Sequence, residues 1–350
     1  MSNETNIVDP KLEAEVGKAA DKAKLQPVTA TAVAALRRGG VSTVPRSLGY
    51  VQAPFIATSL LPEVQSSPDG SEVAYYPVWA KEQFVVPADD RVSIGGGTTT
   101  YDLNMSWSSC DLEVRAAQTV ADPREIRIAA ANNLDLASEK FDLARAKVTL
   151  NKEYTLATIL QTSGNYTTTS ALTSGGTGTR WDNYAASGGV YYSDPIKNIA
   201  DYVETVRSLT GRRPNAMFMG ASVWAKVRFH PILRLAVGGI AGPQMPISLE
   251  SFAALVGLTV YVGEAITAAS ASGAFSDVWG KNVGFLNVSE GGFKDPGFGF
   301  TLTSSGYPKS LQERDINKGA EGSMVYRYID AYKGKVLLAD AGALYTTVIT

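Results

Sequence analysis

Apolar residues recur at spacings of three and four from Ile126 through Ala130, Leu134, Ala137, Phe141 and Ala144 to Val148, the spacing that lines one face of an α-helix. The run opens on Asp122 as a capping carboxylate, Pro123 at the first helical position and Glu125 three residues after the cap, an aspartate version of the capping box. Gly164 supplies the stop. The pattern predicts one helix over 122–163, about 60 Å long if unbroken at 1.5 Å per residue. That is longer than an ordinary globular helix, so it reads as a spine to which other elements attach.

The segments on either side are patterned differently. Residues 9–24 predict a short amphipathic helix, with Asp9 as cap, Pro10 in the first turn and Leu12, Val16, Ala19 and Ala23 on one side. From 25 to 61 periodicity fades, and Gly39, Gly40, Pro45, Gly49 and Pro54 interrupt any regular element. So long an irregular run is uncommon within a compact domain, and it reads as an arm, disordered or laid against a neighbouring subunit. Strand-forming runs at 71–79 and 82–86 carry Tyr75, Tyr76, Val78, Trp79, Phe84 and Val85, and 99–115 carries Tyr101, Leu103, Met105, Trp107, Leu112 and Val114. They predict an extended hairpin, its tip marked by Pro87, Asp89, Asp90 and Gly95 to Gly97.

Beyond the spine, a Gly/Ser/Thr-rich stretch over 165–189 marks a boundary. Asp194 and Pro195 then open a helix whose Ile196, Ile199, Ala200, Val203 and Val206 form one face, ended by Gly211 and Pro214. A buried strand at 216–219, a helix at 222–229, an irregular Gly/Pro run at 238–246, a helix from Ser248 to Gly257 and a strand at 259–262 follow. From 278 the chain turns β-rich, with strands expected at 283–288, 298–303, 324–332, 335–338 and 344–349. No internal repeat is visible.

Composition narrows the function classes. The 350 residues carry 32 Lys and Arg against 34 Asp and Glu, a formal charge of −2, so the molecule as a whole presents no positive field to gather nucleic acid or anionic membrane. Cys110 is the one cysteine; it allows no intrachain disulfide and fits a reducing cytoplasm. The first twenty residues lack the basic start and apolar core of a signal peptide, and no window approaches 18 uninterrupted apolar residues. Sequons at Asn3, Asn104, Asn165 and Asn287 are too short a motif to weigh without a secretory signal.

Catalytic chemistry finds few parts. With His230 and Cys110 the only residues of their kinds, neither a zinc site nor a Ser-His-Asp or Cys-His arrangement is supplied with partners. His230 precedes Pro231 at an expected helix end, where a structural or solvent-exposed imidazole outweighs a general base. The glycine runs at 95–97 and 175–178 lack the Lys-Ser/Thr pair of a phosphate loop and read as turns. Arg37 with Arg38, and Arg212 with Arg213, are isolated pairs without a basic stripe, better suited to surface or subunit salt bridges. Asp89 and Asp90 lack the His partner of acid–base work and the six to eight oxygens calcium needs. No catalytic, cofactor-binding or metal residue is assigned.

In order, then, the chain offers an arm, a hairpin, a spine, an α/β portion and a β-rich return. That order resembles the major capsid protein of tailed bacteriophages, the Hong Kong 97-type fold. More locally, Gly95 to Thr100 (GGGTTT) before Tyr101, Val278 to Leu286 (VWGKNVGFL) and Ala339 and Asp340 within VLLADA resemble segments of the lambda-type branch. The resemblance implies an α+β fold with an N-arm over 1–61, a P-domain from 62–80 and 116–189 holding the spine helix 122–163, an E-loop hairpin over 81–115, an A-domain over 190–277 and P-domain return strands over 278–350.

It implies self-association into pentamers and hexamers, closing as an icosahedral shell around double-stranded DNA that is held without sequence-specific binding. The implied partners are further copies of the chain, a portal, a scaffold and a decoration protein, with no membrane. The implied place is the virion, assembled in the host cytoplasm. Arg37, Arg38, Phe84, Asp89, Asp90, Arg91, Tyr101 and Trp107, on the arm and hairpin, become the subunit-interface candidates. Some family members cross-link through a hairpin lysine; here Lys81 stands near the hairpin base, so a non-covalent shell is expected. The arm is short and runs directly into the hairpin, which argues against a removable N-terminal scaffold domain.

Three other readings stay open. An encapsulin-like shell has the same fold but encloses a cargo enzyme. A soluble enzyme would place its site near 194–263, but lacks a convergent polar constellation. A tail-tube or surface-layer protein sits poorly with the long spine helix.

Overall fold

The computed structural model describes residues 54–67, 70–79, 91–92, 94–98, 105–132, 135–173, 179–187, 190–191, 193–238, 245–270, 273–295, 297–319 and 321–350. All belong to one unit of the chain, Val44–Thr350; the other unit, Met1–Thr43, falls outside them, as do the expected helix at 9–24 and most of the expected arm.

The described chain opens with α1 (Ala57–Leu60) and β1 (Glu63–Ser67), followed by the hairpin strands β2 (Val73–Trp79) and β3 (Met105–Asp111) and by β4 (Glu113–Ala121). Two helices succeed them, α2 (Pro123–Ala131) and α3 (Leu136–Gln161), then β5 (Thr168–Ala171) and the short pair β6 (Ala186–Ser187) and β7 (Val190–Tyr191). Next come α4 (Pro195–Thr210), β8 (Ala216–Gly220), α5 (Ala221–Val227), α6 (Pro231–Gly238), α7 (Leu249–Val256) and β9 (Thr259–Gly263). A small hairpin, β10 (Ile266–Ala268) with β11 (Phe275–Asp277), precedes β12 (Val283–Leu286), β13 (Gly299–Ser304), β14 (Lys309–Asp315), β15 (Ser323–Val336) and β16 (Gly342–Thr346).

The expected single helix over 122–163 is two helices. The Asp122 carboxylate caps α2 as anticipated, accepting from the Arg124 N–H at 2.8 Å. The side-chain amide of Asn132, however, donates to the Ile128 carbonyl at 2.8 Å, and the Asp135 carboxylate accepts from the Ser138 N–H at 3.2 Å to cap a fresh helix. These short polar side chains compete locally with the helical ladder and divide it. The helix ends at Gln161 with Thr162 as its cap, ahead of Gly164. Among the described residues of the expected apolar stripe only Ala144 and Val148 are buried; the inward face of α3 continues as Leu156, Ala157 and Leu160, with Lys152 and Glu153.

Two five-stranded sheets flank this helix. In the first, β15 is the long member: β4 runs antiparallel along one edge, and β14 and then β13 along the other, with β1 parallel to β13. The second has the order β5-β16-β12-β8-β9. Its central strands β12 and β8 are buried on both faces. Met217 and Met219 of β8 pack with Tyr202, Val223, Phe252 and Phe285, whereas Ala216 and Phe218 pack with Leu156, Leu160 and Trp279. Such two-sided burial explains why β8 reads as a continuous apolar run rather than an alternating one.

β12 and β16, from the segment after 278, are central strands of the sheet that holds β8 and β9. Two strand expectations are corrected by the pairing. The expected strand over 99–115 is not continuous: buried Leu112 donates its N–H to the Glu72 carbonyl at 2.6 Å, and from Glu113 the chain leaves the hairpin to join β15. The two strands expected at 324–332 and 335–338 are the single β15.

Adjacent charged residues on α3 tie its surroundings together. The Glu153 carboxylate, buried, accepts from the Ile56 and Ala57 N–H groups at 3.1 and 3.0 Å and from the Trp279 indole at 2.8 Å. Burial pushes its pKa above the usual carboxylate range, and the same three donors pull it back. Lys152 meets Glu63 of β1 at 2.7 Å and Asp330 of β15 at 3.1 Å, its ammonium 4.9 Å from the Tyr332 ring centre. Glu153→Ala leaves three buried donors without an acceptor and is expected to cost about 3–5 kcal/mol. Glu153→Gln retains one accepting oxygen and should lose clearly less. Equal thermal midpoints for Glu153→Ala and the parent chain would contradict this role.

Candidate assembly surfaces

The hairpin is an amphipathic ribbon. Its register pairs Ala74 with Cys110, Tyr76 with Ser108 and Pro77 with Trp107. Alternation sends Ala74 and Tyr76 into a small core with Leu112, Phe300 and Leu302 and turns Tyr75 and Trp107 outward on the other face, 55% and 60% exposed. Large aromatic rings left in water on one face of a ribbon are unusual for a surface with no partner. Towards the tip, Val92 and Ile94 are exposed as well, and Gly95 turns with a positive φ of 82°.

Of the eight expected interface residues, the structure describes two. Trp107 is exposed on β3, and Arg91 is exposed near the tip. Arg37, Arg38, Phe84, Asp89, Asp90 and Tyr101 lie outside the described residues, as does Lys81. Tyr75 was visible in the alternation of β2 without being singled out.

A second group of outward apolar side chains went unread in the sequence. Phe229, Leu235, Val237, Met245 and Leu255 are exposed on or beside α6 and α7. Met245 lies within the Gly/Pro run at 238–246 and the other four on either side of it, where the punctuation hid the apolar content. Helix α6 itself starts at Pro231, directly after His230.

Of the residues weighed for chemistry, Arg212 and His230 have structural partners. Arg212 pairs with Asp295 at 2.5 Å. Cys110 is half-buried on β3, and burial raises its pKa. His230 is fully buried, its Nδ1 accepting from the Ile232 N–H at 3.3 Å, which leaves the proton on Nε2 to be donated to the Ser193 hydroxyl at 2.7 Å. Ser193 in turn donates to the Asn183 carbonyl at 2.9 Å, and the Tyr184 ring stands edge-on to the imidazole. An imidazole that donates to the serine cannot take the serine's proton, so this pair pins a loop and does not activate a nucleophile. Among the described residues no cluster of three His, Cys, Asp or Glu side chains is placed to hold a metal ion, and no helix is long and apolar enough to cross a membrane.

No protein-family model matches the chain. A major capsid protein from Burkholderia phage BcepMu is 26% identical over 312 residues, covering 86% of this chain and 94% of the relative. Among solved structures, a phage-related protein from Bordetella bronchiseptica superposes with a TM-score of 0.65 at 22% identity, over 87% of this chain and 95% of that one. The capsid of cyanophage P-SCSP1u gives 0.54 at 11% identity, over 85% and 89%. An encapsulin complex from Synechococcus elongatus gives 0.51 at 13% identity, over 93% and 97%.

The His230 pin sets a pH dependence. Burial pushes its pKa from 6.5 down to about 4, against the opposing pull of Asp194. The unfolded chain therefore takes up the proton first: stability from this group is complete above pH 6.5 and falls by about 3 kcal/mol as the pH drops to 4. Denaturant unfolding across that window should show a slope that His230→Asn flattens by about one proton. Identical slopes in the two proteins would remove His230 from the account.

Proposed function

We infer that the chain is a phage major capsid protein of the Hong Kong 97 type, whose activity is to assemble with copies of itself into a closed shell. The observation that carries this is the match to a phage major capsid protein over 94% of that relative's length, joined to a fold similar to that of a cyanophage capsid over 85% of this chain. The apolar surfaces fit the role. Tyr75 and Trp107 on the hairpin, and Phe229, Leu235, Val237, Met245 and Leu255 around α6 and α7, remain in water within the single subunit, and burial against neighbouring copies supplies the driving force for association.

In this reading the subunits form pentamers and hexamers, and the shell encloses double-stranded DNA. A portal, a scaffold and a decoration protein are its partners, and its place is the virion, reached after assembly in the host cytoplasm. The near-neutral charge of −2 suits a container that must not grip its cargo. The stretch 81–115 acts as the E-loop that reaches a neighbour. No catalytic role is assigned to any residue.

The encapsulin fold is similar as well, and the difference lies in cargo: a protein compartment carries an enzyme with a docking peptide, a phage head carries DNA. Deleting 83–100 should leave a subunit with unchanged circular dichroism that no longer sediments as particles. Wild-type particle yield from the deleted chain would refute the role given to the hairpin. Nucleic acid recovered from particles made during infection separates the phage head from the protein compartment.

A further inference from the structure

The strand β14 is the outlier of the first sheet. All its side chains are exposed except the half-buried Asp315, and its seven residues, Lys-Ser-Leu-Gln-Glu-Arg-Asp, carry no apolar period. It pairs with β15 along one edge, from Lys309 opposite Ile329 to Asp315 opposite Ser323. β13 and β14 follow one another along the same edge of β15, and β1 covers β13 but ends at Ser67. Among the described residues no strand pairs with the outer edge of β14. Such an edge offers alternate N–H and C=O groups to another strand.

We propose that β14 is a self-pairing edge, through which two copies of the chain join antiparallel about a two-fold axis at Gln312. Charge order and length of overlap together favour this register. Centred on Gln312, Lys309 lies opposite Asp315 of the second copy at both ends, Ser310 opposite Arg314 and Leu311 opposite Glu313. Directly opposed residues share a face, so each Lys–Asp pair is in contact range. Moving the centre to Glu313 or Arg314 opposes like charges, and a parallel in-register pairing sets Lys309 on Lys309 and Glu313 on Glu313. A centre at Leu311 also opposes unlike charges, Lys309 to Glu313, but it pairs five residues where the centre at Gln312 pairs all seven. Edge charges that usually forbid pairing thus oppose the like-charge registers, and length of overlap favours Gln312.

The local partners of these ends do not compete strongly. Asp315 meets Lys318 at 3.4 Å and accepts from the Asn317 N–H at 3.0 Å, and Lys309 stands over the Tyr307 ring at 4.7 Å. The Asn317 bond uses one carboxylate oxygen, and the two charge contacts are partly exposed, of the kind that contribute little. The joined edges would continue β4–β15–β14 into a six-stranded sheet across the axis. A seven-residue edge buries less than a free-standing dimer requires. The contact therefore works within a larger assembly, and to that extent it rests on the shell reading.

The test uses the full chain with Cys110→Ser and Gln312→Cys. In the proposed register the two Cα atoms at position 312 lie about 4.5–5.5 Å apart, within the span of a disulfide. Oxidised glutathione should give a covalent dimer on a non-reducing gel. Ser310→Cys in the same background should not, because its copy sits about 13 Å further along the strand. Lys309→Asp or Asp315→Lys alone should slow cross-linking by about tenfold, and the two together should restore it.

Particles without the cross-linked dimer overturn the self-pairing and leave the shell reading intact. The dimer without particles supports the self-pairing and overturns the shell. Absence of both overturns both. Cross-linking indifferent to the charge swaps contradicts the register.

Discussion

Two neighbouring side chains on one helix hold the described fold together. Lys152 and Glu153 leave α3 in different directions, the first to Glu63 and Asp330 in one sheet, the second to the backbone of α1 and to Trp279. Trp279 packs on Phe218 of the other sheet. Neither charge is cheap to bury, and each is tolerated because its partners are complete. The apolar residues that follow, Leu156, Ala157 and Leu160, then seat the helix on the second sheet.

That arrangement explains how a subunit can be firm at its centre while its contact surfaces stay unfilled. The inner faces of the sheets are closed by their own helices, so the apolar residues left over on the hairpin and around α6 and α7 are surplus to the fold. Surplus apolar surface in a chain of nearly balanced charge favours contact with more of the same chain. The polar edge of β14 adds a different kind of contact, directional and register-specific, to these non-directional ones.

Local chemistry made part of this readable in advance. Asp194 with Gly211, and Ser248 with Gly257, bound α4 and α7 where the capping rules place them, each helix opened by a side-chain acceptor and closed by a left-handed glycine. The break after α2 was missed because Asn132 and Asp135 act within an apolar period that continues across them. Sheet membership was not legible at all: β12 pairs with β8, some 67 residues earlier, and with β16, and nothing in the sequence of Val283 to Leu286 names those partners. β14 escaped because a fully exposed strand has no burial to impose an alternation. The hairpin was legible at its base, where Tyr76 alternates with exposed Tyr75; six of the eight named interface residues lie outside the described residues.

Negative-stain microscopy of the purified full-length chain, with light scattering on the same sample, bears most directly on the capsid reading. The account predicts closed particles of uniform diameter whose mass is a large multiple of the 37.1 kDa subunit. A uniform monomer or dimer at every concentration, with or without a scaffold protein, would contradict it.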